Sequence, residues 1–308
     1  MNEIFLKGNN NQLEETKKLE YNDLVERFLN YIDVSENTIQ TYKYSLKQWA
    51  LYLYENNINI PTRQDVLNYK ELLMKKHSAN TTNLYLVSLK NFYKWLEYEE
   101  ITKDITKNIK SISVEKCFNK RGLTQEEIKR LLLNCKDLKE EVFITLAITC
   151  ALRSNELSNI RLKDFYNDNG VVLLKVLGKA RNGLKQDSVK IDNRLYEKIK
   201  EYCSKYNIED YLFTSRSNHN TGGKVNNITL RRWFNDICKR ANIDMDKVSL
   251  HSCRHSGISL LVENGEDLYK VQQFSRHKNI QTILTYVNEI NLRNNNMTTY
   301  LGDVVYDN

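Results

Sequence analysis

The segment HKNIQTILTY closes the part of the chain in which chemically capable side chains concentrate. It places His277 nine residues before Tyr286, whose hydroxyl could act as a nucleophile. Helical spacing also puts Tyr286 on a stripe with Ile283, Val287 and Ile290, which fits a core aromatic residue with a satisfied hydroxyl. The segment alone leaves both roles open, so the other candidate residues must decide between them.

A second candidate group lies on the predicted helix SLHSCRHSGISLLVENG. Its apolar stripe runs back from Val262 to Ile258, and the preceding turns place Arg254, His255 and then His251 on the same stripe. A buried arginine is costly without a partner. Arg254 therefore requires either a carboxylate inside the protein or an anionic ligand.

The same helix raises the idea of zinc, because His251, Cys253 and His255 are close in sequence. On a helix, however, residues 251 and 253 point about 200° apart, so they do not share one ion easily. We expect no metal at this place.

Two further cations precede that helix. Arg153, in ALRSNEL, follows an apolar helix and could simply pair with Glu156 three residues later. Lys179 ends a predicted strand beside Asn182-Gly183, a strong hairpin signal, where a solvated lysine would be ordinary. Each candidate thus has an ordinary structural explanation when taken alone. Together they form an ordered set: Arg153, Lys179, His251, Arg254, His277 and Tyr286.

This ordered set resembles the tyrosine recombinase family, which comprises the lambda-integrase and Xer-type DNA strand-exchange enzymes. ALRSNEL looks like the family's first-arginine box, and LGKARNGLKQDSVKI is similar to its lysine-bearing β-hairpin. LHSCRH matches its H-x-x-R-H box, and HKNIQTILTY matches its closing box. The helical region 20–100 is similar to the family's N-terminal core-binding domain, so the resemblance covers nearly the whole chain.

The resemblance implies a phosphoryl transfer. It assigns Arg153, Arg254 and His277 to the scissile phosphate, where charge develops on non-bridging oxygens. Tyr286 would attack phosphorus and form a covalent 3′-phosphotyrosine. That linkage keeps the bond energy, so no ATP is needed, and we expect no cofactor and no metal. Consistently, LGKAR lacks the first glycine of a phosphate-binding G-x-x-x-x-G-K-[ST] loop.

The remaining roles are also implied by the resemblance. Lys179 resembles the family's general acid for the leaving 5′ oxygen. His251 would exchange a proton with the tyrosine or hydrogen-bond the phosphate. Glu156 would orient its neighbours.

The chain departs from the family's pattern at three positions. Arg276, Ala151 and Ala180 stand where the family usually has glycine. The alanines are small, but Arg276 is expected to alter the loop geometry around His277.

Helical periodicity dominates the elements that must position these residues. The chain has one proline and ten glycines, which favours long helices. We predict a mainly α fold with a small β-sheet: an N-terminal helical, SAM-like core-binding bundle and a C-terminal α+β catalytic domain of the tyrosine recombinase type. The predicted parts are a flexible arm (1–18), the helical core DNA-binding domain (19–103), a linker (104–121), the catalytic domain (122–290) and a C-terminal tail (291–308). The sequence leaves open whether this tail packs in cis or docks in trans.

Charge and composition indicate the partners. Residues 1–110 hold 15 basic and 15 acidic residues, so the net charge of +7 lies in residues 111–308. A localised basic surface suggests nucleic acid. The resemblance implies double-stranded DNA with paired core sites, bound by a homotetramer, and an accessory DNA-bending protein as a further possible partner. The predicted helices most similar to the family's groove-facing helices carry Lys43, Lys47, Lys90 and Lys94, which we therefore expect to contact DNA. Six scattered cysteines and no bilayer-spanning apolar run indicate a cytoplasmic protein without a membrane partner.

Alternatives remain at this stage. A non-catalytic DNA-binding regulator could keep the same scaffold. An RNA-processing or metal-dependent nuclease would need a carboxylate cluster, which we do not find. Within the family, mobile-element integration or excision, Xer-like dimer resolution and DNA inversion would use the same residues.

Overall fold

The structure is a computed structural model, which describes the backbone of residues 11–114, 120–180, 183–215, 222–293 and 297–306. Of these, the side chains of residues 11–20, 178–180, 183–186, 293, 298–300, 303 and 306 lie outside the description. The chain divides into two compact units, Met1–Glu115 and Lys116–Asn308. Along the described residues, no helix is both long and apolar enough to cross a bilayer.

The described residues of the first unit form four helices: α1 (Asn11–Tyr31), α2 (Glu36–Glu55), α3 (Arg63–Lys76) and α4 (Ala79–Tyr98). Their inward faces are unusually aromatic. Phe28 contacts Phe92 edge-on at 5.4 Å between ring centroids, and Trp49 donates its indole N–H to the hydroxyl of Tyr93 at 3.2 Å. Helical backbone begins at Asn11, within the segment predicted as an arm.

The segment after α4 packs onto this first unit. Ile109 is buried in its core, and the side chain of Asn83 exchanges two hydrogen bonds with the backbone of Ile112. The early part of the predicted linker 104–121 is therefore held against the helices.

The second unit contains nine described helices and a sheet. The helices are α5 (Gln125–Leu133), α6 (Leu138–Thr149), α7 (Ser154–Asn159), α8 (Asn193–Tyr206), α9 (Asn227–Arg240), α10 (Leu250–Glu263), α11 (Leu268–Ser275), α12 (Gln281–Arg293) and α13 (Met297–Tyr306). The strands are β1 (Phe165–Asp168), β2 (Val171–Ala180) and β3 (Gly183–Lys190), antiparallel in the order β1-β2-β3. This architecture confirms the predicted fold class.

Local signals set several of these boundaries. Thr124 and Glu127 form a capping box at the start of α5, each side chain accepting a hydrogen bond from the other residue's backbone N–H. Gly265 follows α10 with φ of +77°, as expected for a glycine that ends a helix. In the β-hairpin, Ala180 pairs with Gly183. Gly183 is therefore already in β3, and the predicted Asn182-Gly183 turn was wrong by one residue.

Helix α6 lies at the centre of the second unit. Five of its residues are fully buried: Val142, Phe143, Ile144, Leu146 and Ala147. Helix α10 crosses it closely at Gly257, where a Cβ atom would collide with the backbone carbonyl of Ile148. This contact brings the end of α6, before Arg153, beside the middle of α10, which carries Arg254.

Candidate active site

Arg153 is positioned by the turn between α6 and α7. Ala151 in that turn has a left-handed backbone with φ of 45°. Arg153 then caps α7, donating its backbone N–H to Glu156 Oε2 at 2.7 Å and its Nη1–H to Oε1 at 2.8 Å. The Arg153 side chain is 39% exposed, whereas Glu156 is buried. The guanidinium is thus anchored at one end and reaches the surface at the other.

Arg276 supplies a second cation to the same carboxylate. Its Nη2 lies 3.1 Å from Glu156 Oε2 and also donates to the carbonyl of Ala151 at 2.9 Å. Burial raises the pKa of the Glu156 carboxyl, but the positive charge of Arg276 and the hydrogen bonds and charge of Arg153 outweigh it and lower the pKa overall. Glu156 is therefore an anion held by two arginines.

Arg254 projects from the middle of α10 and is completely buried. Its partners are backbone carbonyls: Nη1 donates to Ala151 and Nη2 to Ser275. Burial, followed by the charges of Arg153 and Arg276, lowers the pKa of Arg254 to about 9, so it stays protonated at neutral pH. Its Nε–H has no hydrogen-bond partner among the described residues. The sequence offered a carboxylate or an anionic ligand as its partner, and within the protein carbonyls take that place.

His277 lies just beyond α11, with Nε2 at 3.2 Å from Arg254 Nη2 and Nδ1 at 2.8 Å from Ser275 Oγ. Burial and the surrounding cations, Arg254 first, lower the pKa of His277 to about 3. The neutral ring must accept from the guanidinium at Nε2, because arginine only donates. The proton is therefore on Nδ1 and points to Ser275, whose hydroxyl donates to the carbonyl of Gln272.

His251 stands in the first turn of α10 and reaches the surface. Partial desolvation of the imidazole ring, followed by the positive charges of Arg254 and Arg153, lowers the pKa of His251 below its ordinary value. It is a neutral base beside two cations at physiological pH.

Tyr286 is buried on α12 among Ala151, Ile258, Val271 and Ile283. Its ring centroid lies 6.4 Å from that of His277 and 4.7 Å from that of His255. Burial raises the pKa of Tyr286 to about 12, although the charge of Arg254 opposes this. The phenol is therefore protonated at neutral pH. Its position is that of the core aromatic residue that helical spacing indicated, and its role as a nucleophile stays a prediction.

Five of the six ordered residues thus come together in the second unit: Arg153, His251, Arg254, His277 and Tyr286. The backbone of Lys179 pairs with Leu184 near the tip of the β2-β3 hairpin, but its side chain lies outside the description. Lys43, Lys47, Lys90 and Lys94 belong to the first unit, on α2 and α4, and all but the half-buried Lys90 are exposed. No group of three potential metal-ligating His, Cys, Asp or Glu side chains occurs in the part of the chain that is described.

Comparisons with known proteins identify the family. Residues 121–292 match the model of the phage integrase family. The chain belongs to the phage integrase family. Residues 25–100 match the family's N-terminal SAM-like domain, so the matches extend over parts of both units. The match confirms the predicted relation to the tyrosine recombinases.

Tyrosine recombinases with Xer names are among the similar proteins. Tyrosine recombinase XerA of Pyrococcus horikoshii is 24% identical over 279 residues, covering 89% of this chain and 92% of XerA. Tyrosine recombinase XerD of Halalkalibacterium halodurans is 28% identical, covering 88% of this chain and 95% of XerD.

Solved structures share the fold. The site-specific recombinase XerH bound to a palindromic difH substrate superposes with a TM-score of 0.70 at 20% identity, covering 83% of this chain and 77% of XerH. A lambda integrase tetramer bound to a Holliday junction gives a TM-score of 0.68 at 15% identity, covering 87% of this chain and 76% of the lambda integrase chain.

Two contacts of this integrase escaped the sequence analysis. Arg276 was expected to disturb the loop at His277, but its buried side chain joins that loop to Glu156. His255, buried under Tyr286, lies 3.4 Å from the carboxylate of Glu289 on α12. Sequence spacing offers one signal for the second: Glu289 stands one helical turn after Tyr286 and thus faces the same helix.

Proposed function

We propose that this protein is a site-specific DNA recombinase, which cuts and rejoins DNA strands through a covalent 3′-phosphotyrosine at Tyr286. The observation that carries the proposal is the cluster in which the buried Tyr286 ring lies beside His277, itself hydrogen-bonded to Arg254. Attack on a phosphodiester requires a phenol that can lose its proton to a nearby base, beside fixed cations that stabilise the charge developing on the phosphate oxygens.

The phosphate would be bound by the two arginines. Arg153 has an exposed guanidinium edge, and Arg254 has an Nε–H without a hydrogen-bond partner among the described residues. Guanidinium groups keep their charge and match the geometry of phosphate oxygens. His277 is fixed in the Nδ1–H tautomer by Ser275 while it contacts Arg254, so it would need a small rearrangement to donate to the phosphate.

The Tyr286 oxygen forms a bond to phosphorus, while the bond between phosphorus and the 5′ oxygen breaks. His251, which is neutral at physiological pH, receives the phenolic proton, and Lys179 protonates the departing 5′ oxygen. The phosphotyrosine is itself a phosphodiester, so rejoining needs no nucleotide, and the arginines supply the charge that a metal ion would otherwise supply.

The proposed partner is duplex DNA with paired core sites, bound by four copies. XerH was solved on its difH substrate, and lambda integrase was solved as a tetramer on a Holliday junction. Helix α13 leaves Met297, Leu301 and Val305 exposed, which suits a tail that docks on a neighbouring protomer. Lys43, Lys47, Lys90 and Lys94 would contact DNA. Integration or excision of a mobile element and Xer-like dimer resolution both fit this proposal.

The decisive experiment uses nicked suicide substrates built from inverted repeats that flank the gene. Cleavage of such a substrate releases a short fragment, so rejoining cannot occur and the covalent adduct accumulates. We expect a slowly migrating protein–DNA species on a denaturing gel, formed equally well in EDTA. Specific binding without an adduct would instead support the non-catalytic regulator, and loss of cleavage in EDTA would support a metal-dependent nuclease.

A further inference from the structure

Arg276 occupies a backbone conformation that favours glycine. As the C-cap of α11 it has φ of 57° and ψ of 36°, in the left-handed region. A side chain with a Cβ atom is disfavoured there, whereas glycine is not. An arginine at this position therefore implies that its side chain contributes something that offsets the backbone strain.

The guanidinium of Arg276 joins two segments of the candidate site. Nη1 donates to the carbonyl of Phe274 at 2.8 Å, and Nη2 donates to Cys150 at 3.2 Å and Ala151 at 2.9 Å. The side chain is only 4% exposed, so it does not present itself to a ligand in solution. Any effect on an anion must pass through another residue.

That other residue is Glu156. Its Oε2 accepts from the backbone N–H of Arg153 and from Arg276 Nη2, which leaves Oε1 for the Arg153 guanidinium. A carboxylate with a single arginine partner binds its guanidinium with both oxygens, and the negative charge of the carboxylate cancels the positive charge of that arginine. In this site Arg276 occupies one oxygen of Glu156 and neutralises its charge, so Arg153 is neither held by both oxygens nor neutralised.

We infer that Arg276 is a positioning residue that keeps Arg153 available to a phosphate group, by neutralising Glu156 and occupying its second oxygen. The inference rests on the proposed function in taking that phosphate to be the scissile one. It also predicts a dependence between two residues: Arg276 should matter only while Glu156 carries its charge.

The test is a titration of the full-length protein with inorganic phosphate at pH 7. Binding is monitored by NMR signals of the arginine side chains. Arg276→Met should weaken phosphate binding by about 10-fold, the effect of losing one nearby charge in a partly screened site. Adding Glu156→Gln to Arg276→Met should restore most of the affinity, because glutamine still accepts from Arg153 without a charge. Arg276→Lys, which keeps the charge, should stay within about threefold of the unchanged protein.

Arg240→Met is the matched control. Glu140 is another buried carboxylate shared by two cations, Arg240 and Lys136, and it belongs to the same unit. Breaking that pair should lower stability and leave phosphate affinity unchanged. The inference is overturned if Arg276→Met binds phosphate as tightly as the unchanged protein, or if Glu156→Gln fails to restore binding. It is also overturned if Arg276→Met does not fold and Arg276→Lys loses affinity as well.

A second readout separates this inference from the proposed function. If the unchanged protein forms no adduct with a suicide substrate, the proposed function fails, while the phosphate titration still decides the role of Arg276. If the adduct forms, its rate at saturating DNA should fall in Arg276→Met and recover in Arg276→Met/Glu156→Gln. An unaltered rate in Arg276→Met would contradict the inference and leave the proposed function intact.

Discussion

Arg254 is a buried charge whose hydrogen bonds go to main-chain carbonyls and to one histidine. The planar fork of arginine reaches Ala151, Ser275 and His277 at once. Lysine keeps a charge but cannot span the three partners in the same way. We predict that Arg254→Lys slows adduct formation by about 100-fold, comparable to losing one transition-state donor. The measurement is single-turnover cleavage of a suicide substrate.

Arg121→Lys provides the control for that variant. Arg121 lies in the same unit and donates from Nη1 and Nη2 to the two carboxylate oxygens of Glu127, at 2.7 Å each. These contacts do not involve the candidate site residues. Arg121→Lys should lower stability and leave the cleavage rate unchanged. Equal slowing in both variants would mean that Arg254 acts only through the fold.

His277 should make stability depend on pH. Its pKa, lowered to about 3 by burial and the nearby arginines, lies below the ordinary 6.5, so the folded protein binds fewer protons than the unfolded chain between these values. Its contribution is complete above pH 6.5 and is lost as the pH falls toward 3. The groups that face the ring, namely Arg254, Arg153, His251 and Arg276, all disfavour its protonation.

We therefore predict that the difference in unfolding free energy between the unchanged protein and His277→Gln shrinks as the pH falls from 7 to 5. Urea denaturation at several pH values measures it. A difference that stays constant would show that His277 titrates normally in the folded protein.

For individual residues, the order of side chains along the sequence predicted candidates for the site but not how those side chains pair. The spacing of Arg153 and Glu156 at i and i+3 predicted their contact, because it is local. The contact of Glu156 with Arg276 joins positions 120 residues apart, and it depends on the packing of α10 against both α6 and α11. No periodic pattern encodes such a contact.

Among the elements, the crossing of α6 and α10 fixes the geometry of the candidate site. Gly257 allows the two helices to approach until there is no room for a Cβ against Ile148. We predict that Gly257→Ala lowers stability by about 1–3 kcal/mol through overpacking and also slows cleavage, because Arg254 shifts relative to Ala151. Thermal unfolding and single-turnover cleavage measure the two effects.

Gly302→Ala on α13 is the matched control, since a Cβ there meets open space. It should stabilise the helix by up to about 1 kcal/mol. If Gly257→Ala behaves like Gly302→Ala, the close crossing does not position the site.

The elements themselves were largely predictable, since long amphipathic helices such as α2 and α4 follow directly from apolar spacing. Their ends were less so. Helix α12 continues to Arg293, into the segment 291–308 predicted as a tail, and β3 begins at Gly183. A helix end or a strand register depends on tertiary contacts and on single turn residues, which periodicity does not contain.

The whole molecule is proposed to assemble as a tetramer on DNA. Removing residues 297–308 should leave the melting temperature of the free protein nearly unchanged, because Leu301 and Val305 of α13 are exposed in the single chain. Tetramers on DNA with two sites should be lost, since the tail is proposed to dock on a neighbour. Native gel electrophoresis and analytical ultracentrifugation measure this outcome.

Leu301→Glu should reproduce the assembly defect without shortening the chain. Full assembly by both the truncated protein and Leu301→Glu would contradict the proposed role of the tail. The basic excess beyond residue 110 further predicts that binding to DNA weakens steeply with salt.

The central claim is that Tyr286 becomes covalently joined to DNA. The most direct measurement compares the unchanged protein, Tyr286→Phe and Tyr269→Phe on the same suicide substrate. Tyr269 lies on α11 with its ring exposed and serves as the control among 19 tyrosines. We expect Tyr286→Phe to bind the DNA site without forming an adduct, and Tyr269→Phe to form the adduct normally. Mass spectrometry of the unchanged protein should find the nucleotide on the peptide that contains Tyr286. An adduct that persists in Tyr286→Phe, or that maps to another residue, would contradict the central claim.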